Sequence, residues 1–298
     1  MRRALLPVVL AALAVAGCGS PDRGDAAQPS ALLPSMMPAA QTNADASPPP
    51  VPYDSATARV VVRASATWPH DSTAYTQGLV LDGDRLLEST GLEGHSQLRE
   101  LDRRTGRVLR SADLPASVFG EGLAAVDGRL YQLTWRAGRG YTWDARSLAL
   151  VDSVSYRGEG WGLASSGPRL LFSDGSSVLR VIDPAGFHQV DSLRVTEAGH
   201  DVWMLNELEM VGGELWANIY ETDLIARIDP STGRVTGWVD VSRLLAPAER
   251  ESVEHRGGTA NGIAWDAARQ RVLLTGKLWP HVYEVDVAQL RPALVKAR

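Results

Sequence analysis

Short runs of apolar and β-branched residues fill the chain from residue 59 onward, and each run ends in a turn rich in Gly, Asp or Ser. The turns recur roughly every eight to twelve residues, which is the spacing of short strands in all-β proteins. No long stretch keeps the 3.6-residue period that an amphipathic helix requires. The pattern therefore predicts an all-β domain.

One sequence unit recurs within this domain. Its five copies are QGLVLDGDRLLES, EGLAAVDGRLYQL, WGLASSGPRLLFS, NELEMVGGELWAN and NGIAWDAARQRVLLT. Each copy is followed by a further strand such as QLRELD, YTWDAR, VLRVID, LIARID or VYEVD. Units of about four short strands, repeated at a spacing of roughly 40 to 55 residues, are typical of propeller blades. We therefore predict a five-bladed β-propeller.

The two ends of the domain indicate how the ring closes. The last copy stops at VYEVDVAQL and lacks the outer strand that RVLRSADLP supplies in the first copy. The stretch ARVVVRASATWPHD precedes the first copy as RVLRSADLPASVFG precedes the second. We expect residues 59–67 to complete the fifth blade as its outer strand.

Residues 1–18 resemble an export signal. Arg2 and Arg3 precede the apolar run ALLPVVLAALAVAG, which is too short to span a bilayer. The run ends in Val15-Ala16-Gly17-Cys18, which resembles the lipobox of bacterial lipoproteins. Cys18 is the only cysteine, so it cannot form an internal disulfide, and we predict that it is lipidated. The alternative is an ordinary secretory signal that contains a cysteine.

The rest of the chain divides into a linker and one domain. Residues 19–58 are rich in Ala, Pro, Ser, Asp and Gln and lack apolar periodicity, which predicts a disordered tether. Residues 59–298 suffice for one large domain, which we expect to be a monomer. A net charge of only −5 without a basic run argues against nucleic acid as a partner. We expect an exported protein, anchored on the periplasmic side of the cell envelope by its lipid alone, and Gly19 favours the outer membrane.

Matched positions in the five repeats predict a pocket on the propeller axis. The innermost strands of a propeller line its channel, so equivalent residues of the repeats form rings. The first ring is formed by the first residue of the three-residue motif that opens each repeat, which reads QGL, EGL, WGL, NEL or NGI. These residues are Gln77, Glu121, Trp161, Asn206 and Asn261. The second ring follows fourteen residues later, or sixteen in the last repeat, and comprises Gly91, Trp135, Gly175, Tyr220 and Lys277. Any one of these residues is compatible with a structural role, such as holding channel water. An acid, a lysine, amides and aromatic residues together predict a functional site.

The sequence does not call for a metal. The histidines, at positions 70, 95, 188, 200, 255 and 281, show no HxxxH or similar ligand spacing, and clustered cysteines are absent. We therefore expect that no cofactor is required. A structural cation held by backbone carbonyls in the channel remains compatible with the sequence.

Motifs in every repeat resemble those of the plant-type glutaminyl cyclase, or glutamine cyclotransferase, family. They are HDSTAYTQGL, ESTGLEGHSQLRE, FGEGLA, LTWR, EGWGLASSGPRLLFSDGS, LNELEMVGGELWANIYETDLIARIDPSTGRVTGWVD, ANGIAWD and TGKLWP. The resemblance covers nearly all of residues 68–285. It implies a five-bladed propeller that converts an N-terminal glutamine of a peptide or protein to pyroglutamate and releases ammonia.

The resemblance also marks pocket residues. They are Tyr75, Gln77, Phe119, Glu121, Trp135, Trp161, Asn206 and Lys277. Two positions depart from the family pattern, because Tyr220 stands where plant members have Trp and Tyr75 where many have Phe. The two additional hydroxyl groups put the preference for substrates other than glutamine in doubt.

The residue types fit this chemistry. Glu121 could take a proton from the α-amine and return it to the leaving amide nitrogen. Gln77, Asn206 or Lys277 could stabilise the oxyanion, and the aromatic residues could fold the substrate and exclude water. Two alternatives remain open, a metal-dependent lactonase-like propeller hydrolase that uses Glu121, Asn206 and Asn261, and a non-catalytic surface propeller that binds a partner.

Overall fold

The computed structural model describes residues 56–290. The predicted export signal, Cys18 and most of the predicted tether lie outside the described residues. Two short strands, β1 (Arg59–Val61) and β2 (Ala66–Pro69), precede the repeats. Together with β2, the repeats form five blades of four antiparallel strands, and β1 adds a fifth strand to one of them. This arrangement confirms the predicted five-bladed β-propeller.

The strands of each blade follow one another along the chain. Blade one contains β3 (Thr76–Asp82), β4 (Arg85–Thr90), β5 (Gln97–Leu101) and β6 (Val108–Asp113). Blade two contains β7 (Gly120–Val126), β8 (Arg129–Thr134), β9 (Arg139–Asp144) and β10 (Leu150–Ser155). Blade three contains β11 (Leu163–Ser166), β12 (Arg169–Phe172), β13 (Val178–Asp183) and β14 (His188–Arg194).

A small hairpin of β15 (Thr196–Glu197) and β16 (His200–Asp201) leads into the last two blades. Blade four contains β17 (Leu205–Val211), β18 (Glu214–Ile219), β19 (Leu224–Ile228) and β20 (Val235–Asp240). Blade five contains β21 (Ala260–Asp266), β22 (Arg271–Gly276) and β23 (His281–Asp286), and β2 is its outer strand. A 3-10 turn, Val287–Leu290, ends the described chain.

Apolar side chains between neighbouring blades form the core. One buried cluster lies at each blade interface, and the cluster between blades five and one contains Leu79, Leu86, Ala264 and Leu273. The innermost strands contact each other in the circular order β3, β7, β11, β17, β21 and back to β3. Burial of apolar surface at these interfaces is therefore what holds the blades around one axis.

The N-terminal segment differs from its prediction. Residues 66–69 pair antiparallel with residues 281–284 of β23, but residues 59–61 pair parallel with residues 238–240 of β20 in blade four. The assignment of residues 59–61 to blade five was therefore wrong. Arg59 is fixed there because its Nη2 and Nε both donate to Asp240 Oδ2, at 2.6 and 3.0 Å. The added strand explains why β20 is mostly buried, whereas the outer strands β6, β10 and β14 are mostly exposed.

One helix interrupts the β-structure. Helix α1 (Pro247–His255) connects blades four and five, with Pro at its first position and the Glu249 carboxylate accepting a bond from Ala246 N. Arg250 fastens it to blade four through Asp223, at 2.9 Å, and through Ser242 O, at 2.6 Å. Within residues 56–290, no helix is long and apolar enough to cross a membrane.

Candidate active site

Bulges in the innermost strands set the orientation of most first-ring side chains. The pairing of β3 with β4 shifts register between Thr76 and Gly78, so Gln77 has no direct partner in the ladder. The same shift occurs around Glu121, Asn206 and Asn261 in blades two, four and five. A bulge re-aims the side chain that it frees from the regular pleat, and bulges are frequent beside active sites. In blade three, Trp161 lies two residues before the first residue of β11.

A repeated backbone bond ties the second ring to the first. Gly91 N donates to Tyr75 O, and Trp135 N donates to Phe119 O. Tyr220 N and Lys277 N make the equivalent bonds to the carbonyl groups of residues 204 and 259. In each case the acceptor lies two positions before the first-ring residue, so the two predicted rings are adjacent at the same end of the channel.

The glycines of the second ring make room for aromatic side chains. A Cβ atom at Gly91 would overlap the Phe119 ring, and one at Gly175 would lie 2.8 Å from the Trp161 indole. Gly175 also has a positive φ of 82°, which favours glycine. The two blades that lack a side chain in the second ring therefore admit a neighbouring aromatic residue instead.

Five aromatic residues surround the axis at this end, and we refer to Tyr75, Phe119, Trp135, Trp161 and Tyr220 as the aromatic collar. Phe119 contacts Tyr75 and Trp135 edge-on, with centroids 5.9 and 5.8 Å apart. Trp161 contacts Tyr220 in the same way at 5.5 Å. Edge-to-face packing at these distances is favourable, so the collar is a stable apolar wall.

Hydrogen bonds between side chains orient Glu121. Asn261 Nδ2 donates to Gln77 Oε1 at 3.1 Å, and Gln77 Nε2 donates to Glu121 Oε1 at 3.2 Å. The other carboxyl oxygen, Glu121 Oε2, is buried and has no hydrogen-bond partner among residues 56–290. Gln77, which Asn261 holds in place, thus binds one oxygen of Glu121, and no residue among 56–290 binds the other.

Burial dominates the electrostatics of Glu121. The side chain is fully buried, which raises the pKa of Glu121 well above that of an ordinary glutamate; Lys277 lowers this pKa and Glu159 raises it. A buried carboxyl group with a raised pKa is a stronger proton acceptor than an ordinary glutamate, and it can return the proton once it has taken it up. These are the properties of a general acid and base.

Lys277 is a buried cation next to the collar. Its Nζ lies 5.0 Å from the Tyr75 ring centroid and 4.8 Å from that of Tyr220, and it has no hydrogen-bond partner in the described part of the chain. Burial lowers the pKa of Lys277 to about 8, against the opposing effects of Glu121 and Glu221. Asn206 is likewise buried, and neither atom of its amide is bonded within residues 56–290. Lys277 and Asn206 therefore supply donors that no residue in the described range 56–290 uses.

The sequence patterns did not identify Glu159. Its Oε2 accepts hydrogen bonds from both collar indoles, Trp135 Nε1 at 2.8 Å and Trp161 Nε1 at 3.0 Å. A signal was available, because Glu159 lies two residues before first-ring Trp161, as Tyr75 precedes Gln77 and Phe119 precedes Glu121. The structure thus places the two predicted rings at one end of the channel, with Glu159 as one further carboxylate beside them.

Comparison with known proteins identifies the family. A family model described as glutamine cyclotransferase matches residues 32–287.

The chain belongs to the glutamine cyclotransferase family.

Two similar proteins show how close the relationship is. This chain is 42% identical over 231 residues to the glutaminyl-peptide cyclotransferase of Arabidopsis thaliana, a match that covers 76% of this chain and 72% of the relative. The crystal structure of the Myxococcus xanthus glutaminyl cyclase superimposes with a TM-score of 0.70 at 36% identity, over 77% of this chain and 97% of that one. The family resemblance drawn from the motifs is confirmed.

Within residues 56–290, no group of three or more His, Cys, Asp or Glu side chains lies close enough together to hold an ion. His70 is instead committed to structure, since its ring nitrogens contact Trp279 O at 2.8 Å and Glu88 Oε1 at 2.9 Å. Although burial acts to lower the pKa of His70, the Glu88 carboxylate leaves it raised.

Proposed function

We propose that this glutaminyl-peptide cyclotransferase forms pyroglutamate inside the aromatic collar and that Glu121 moves the proton. The observation that carries the proposal is Glu121 itself, a fully buried carboxyl group with one oxygen held by Gln77 and the other unbonded within the described chain. The substrate is a peptide or protein that begins with glutamine.

The reaction needs one proton to move between two nitrogen atoms. The neutral α-amine attacks the γ-carboxamide carbon, and Glu121 Oε2 accepts the proton that the amine then carries. The same carboxyl group gives this proton to the amide nitrogen, the carbon–nitrogen bond breaks, and ammonia leaves. An α-amine has a pKa of about 7.7 to 8.0. Because the pKa of Glu121 is raised, it lies closer to that of the amine than the pKa of an ordinary glutamate does, which eases proton transfer between them.

Lys277 and Asn206 are the proposed partners of the oxyanion. Both are buried beside the collar, and both carry N–H donors without an acceptor among residues 56–290. Donors fixed in a water-poor site stabilise developing negative charge without reorganisation. Gln77 is proposed to orient Glu121 rather than to stabilise the oxyanion, because its Nε2 already donates to Glu121.

The collar positions the substrate. Cyclisation requires the glutamine side chain to fold back until its carbonyl carbon meets the α-amine, which is a conformation that a narrow apolar pocket favours. Phe119, Trp135 and Trp161 supply flat surfaces for this folded chain. Tyr75 and Tyr220 add hydroxyl groups, and burial raises the pKa of Tyr75 to about 12, so this hydroxyl remains protonated at neutral pH.

The activity is tested with a peptide that begins with glutamine. Protein lacking residues 1–18 is incubated with the peptide, and mass spectrometry follows the loss of ammonia. The same peptide with an acetylated N-terminus is the control, because its nitrogen cannot attack. Conversion of the free peptide alone supports the proposal. Conversion of neither peptide, or of both peptides to the same extent, contradicts it.

We also propose that catalysis requires no metal, because Glu121, Lys277 and the amides can supply every proton transfer and charge interaction described above. Activity that survives treatment with a chelator agrees with this proposal. Activity that is lost and then returns with added metal would contradict it and favour the lactonase-like alternative.

The proposed location depends on Cys18, which precedes the described residues. We propose that a lipid on Cys18 anchors the enzyme at the periplasmic side of the envelope, as supported by the lipobox-like Val15-Ala16-Gly17-Cys18 after an apolar run. Cys18→Ser should abolish labelling by a fatty-acid probe. Labelling that persists in this variant would refute the anchor.

A further inference from the structure

We propose that Glu159 is a positioning residue for cyclisation, which holds the two indole walls of the collar in place through one carboxyl oxygen. The proposal rests on the function given above, in that the collar is taken to hold the folded glutamine. It adds a residue that is not among the predicted pocket residues and that contacts the aromatic wall rather than the reacting atoms.

The hydrogen-bond geometry is specific. Glu159 Oε2 accepts from Trp135 Nε1 at 2.8 Å and from Trp161 Nε1 at 3.0 Å, although these tryptophans belong to different blades. Bonds to an ionised acceptor are shorter and about twice as strong as bonds between neutral groups. An indole has a single N–H donor, so each bond fixes the rotation of its ring about the Cβ–Cγ axis.

The backbone around Glu159 is fixed as well. Gly160 N donates to Trp135 O at 3.0 Å, which ties the segment to the same tryptophan. A Cβ atom at Gly160 would lie 2.7 Å from the Tyr156 hydroxyl, so only glycine allows the segment to pass this closely. Glu159 therefore projects from a constrained segment and not from a free loop.

Arg136 completes the arrangement on the solvent side. Its Nε donates to Glu159 Oε1 at 2.9 Å, and its guanidinium carbon lies 3.7 Å from the Trp135 ring centroid. The two carboxyl oxygens of Glu159 thus have separate tasks, since one binds the guanidinium and the other binds both indoles.

These contacts join the collar into a closed circuit. Ring contacts link Tyr75, Phe119 and Trp135, and a second contact links Trp161 to Tyr220. Lys277 lies over both tyrosines and joins the circuit on one side. Glu159 joins it on the other side, between the two tryptophans. Without this carboxylate, the two indoles lose the one acceptor that they share.

The experiment compares Glu159→Ala with Glu159→Gln and a matched control. Gln keeps a carbonyl oxygen that can accept both indole bonds, whereas Ala removes the acceptor. Glu214→Ala is the control, because Glu214 is exposed to a similar extent, 29% against 26%, and binds Arg227 at 2.7 Å outside the collar. Turnover of a glutamine peptide and the indole N–H resonances in nitrogen-15 spectra are measured for each protein.

Glu159→Ala should shift the indole resonances of Trp135 and Trp161, assigned with single Trp→Phe variants, and lower kcat by about tenfold or more with a smaller change in KM. Glu159→Gln should recover most of this loss, and Glu214→Ala should stay within about threefold of wild type. The inference is overturned if Glu159→Ala leaves both resonances and kcat unchanged, or if Gln is no better than Ala. An inactive wild-type protein with shifted indoles in Glu159→Ala would instead contradict the proposed function alone.

Discussion

Lys277 carries an energetic cost that its chemistry explains. A lysine buried without a hydrogen-bond partner among the described residues is destabilising, and its pKa falls from 10.5 to about 8 as a result. At pH 7 the group is still largely protonated, so the pocket retains a cation. Residues retained at a cost to stability are frequent in active sites, where function and stability oppose each other.

Replacement of Lys277 by Met should therefore stabilise the protein and slow the reaction. The depressed pKa corresponds to a gain on the order of 3 kcal/mol in unfolding free energy at pH 7, whereas the lost donor should lower kcat by about 10²-fold. Because the folded pKa lies below the unfolded one, wild-type stability should rise from about pH 8 towards pH 10.5 relative to the variant. Denaturant melts across this range and peptide turnover check both effects, and a variant less stable than wild type at pH 7 would contradict the account.

Gly91 tests whether the second ring makes room for the collar. A methyl group there overlaps the Phe119 ring, which is held between Tyr75 and Trp135 and cannot easily move. Gly91→Ala should destabilise the protein by about 1 to 3 kcal/mol and raise KM for a glutamine peptide. Gly94→Ala is the control without steric overlap, because a methyl group at Gly94 meets open space. Any loss of stability in this control comes from the positive φ of Gly94 rather than from a clash. An unchanged KM in Gly91→Ala would show that the Phe119 ring does not contact the substrate.

The site residues were predictable as far as they repeat. Gln77, Glu121, Trp161, Asn206 and Asn261 stand at matched positions of the repeats, so their convergence followed from the propeller alone. The sequence did not show which atoms bond, because the link from Asn261 through Gln77 to Glu121 depends on bulges that shift the ladder locally. Glu159 was missed because the matched positions of the repeats, which hold Tyr75, Phe119, Met204 and Thr259, share no residue type that would have marked it.

The N-terminal strands differ in what they do for the blades. The strand β2 supplies the fourth strand of blade five, whereas β1 only adds a fifth strand to blade four, which is already complete. Both were read from sequence as one segment, because Arg59–Val61 and Ala66–Pro69 are too short for the pairing partner to be inferred. Helix α1 was missed for a similar reason, since nine residues give few turns of helical period.

Truncation separates these two roles. A protein that begins at Ser65 lacks β1 alone and should still unfold cooperatively, with a lower melting temperature after the loss of the Arg59–Asp240 ion pair. A protein that begins at Asp71 also lacks β2 and exposes an edge of β23, so it should aggregate or lose cooperative unfolding. Circular dichroism and light scattering distinguish the two, and equal melting of both truncations would show that β2 does not stabilise the ring.

At the scale of the whole molecule, the repeat explains why one site can draw on every blade. Blades packed in a circle bring residues as far apart as Tyr75 and Lys277 to the same end of the channel, and each contributes one position of the same unit. The repeat length and the count of units were visible in the sequence, so the fold class was predictable. The depth of burial was not, and burial gives Glu121 and Lys277 their altered pKa values.

The central claim is that Glu121 moves the proton, and Glu121→Gln tests it most directly. Glutamine keeps the shape of the side chain and an oxygen for the bond from Gln77, but it cannot exchange a proton. We expect a folded variant that still binds glutamine peptides, with a cyclisation rate lowered by about 10²-fold or more in a single-turnover measurement. A rate within a few-fold of wild type would contradict the account and require another residue to move the proton.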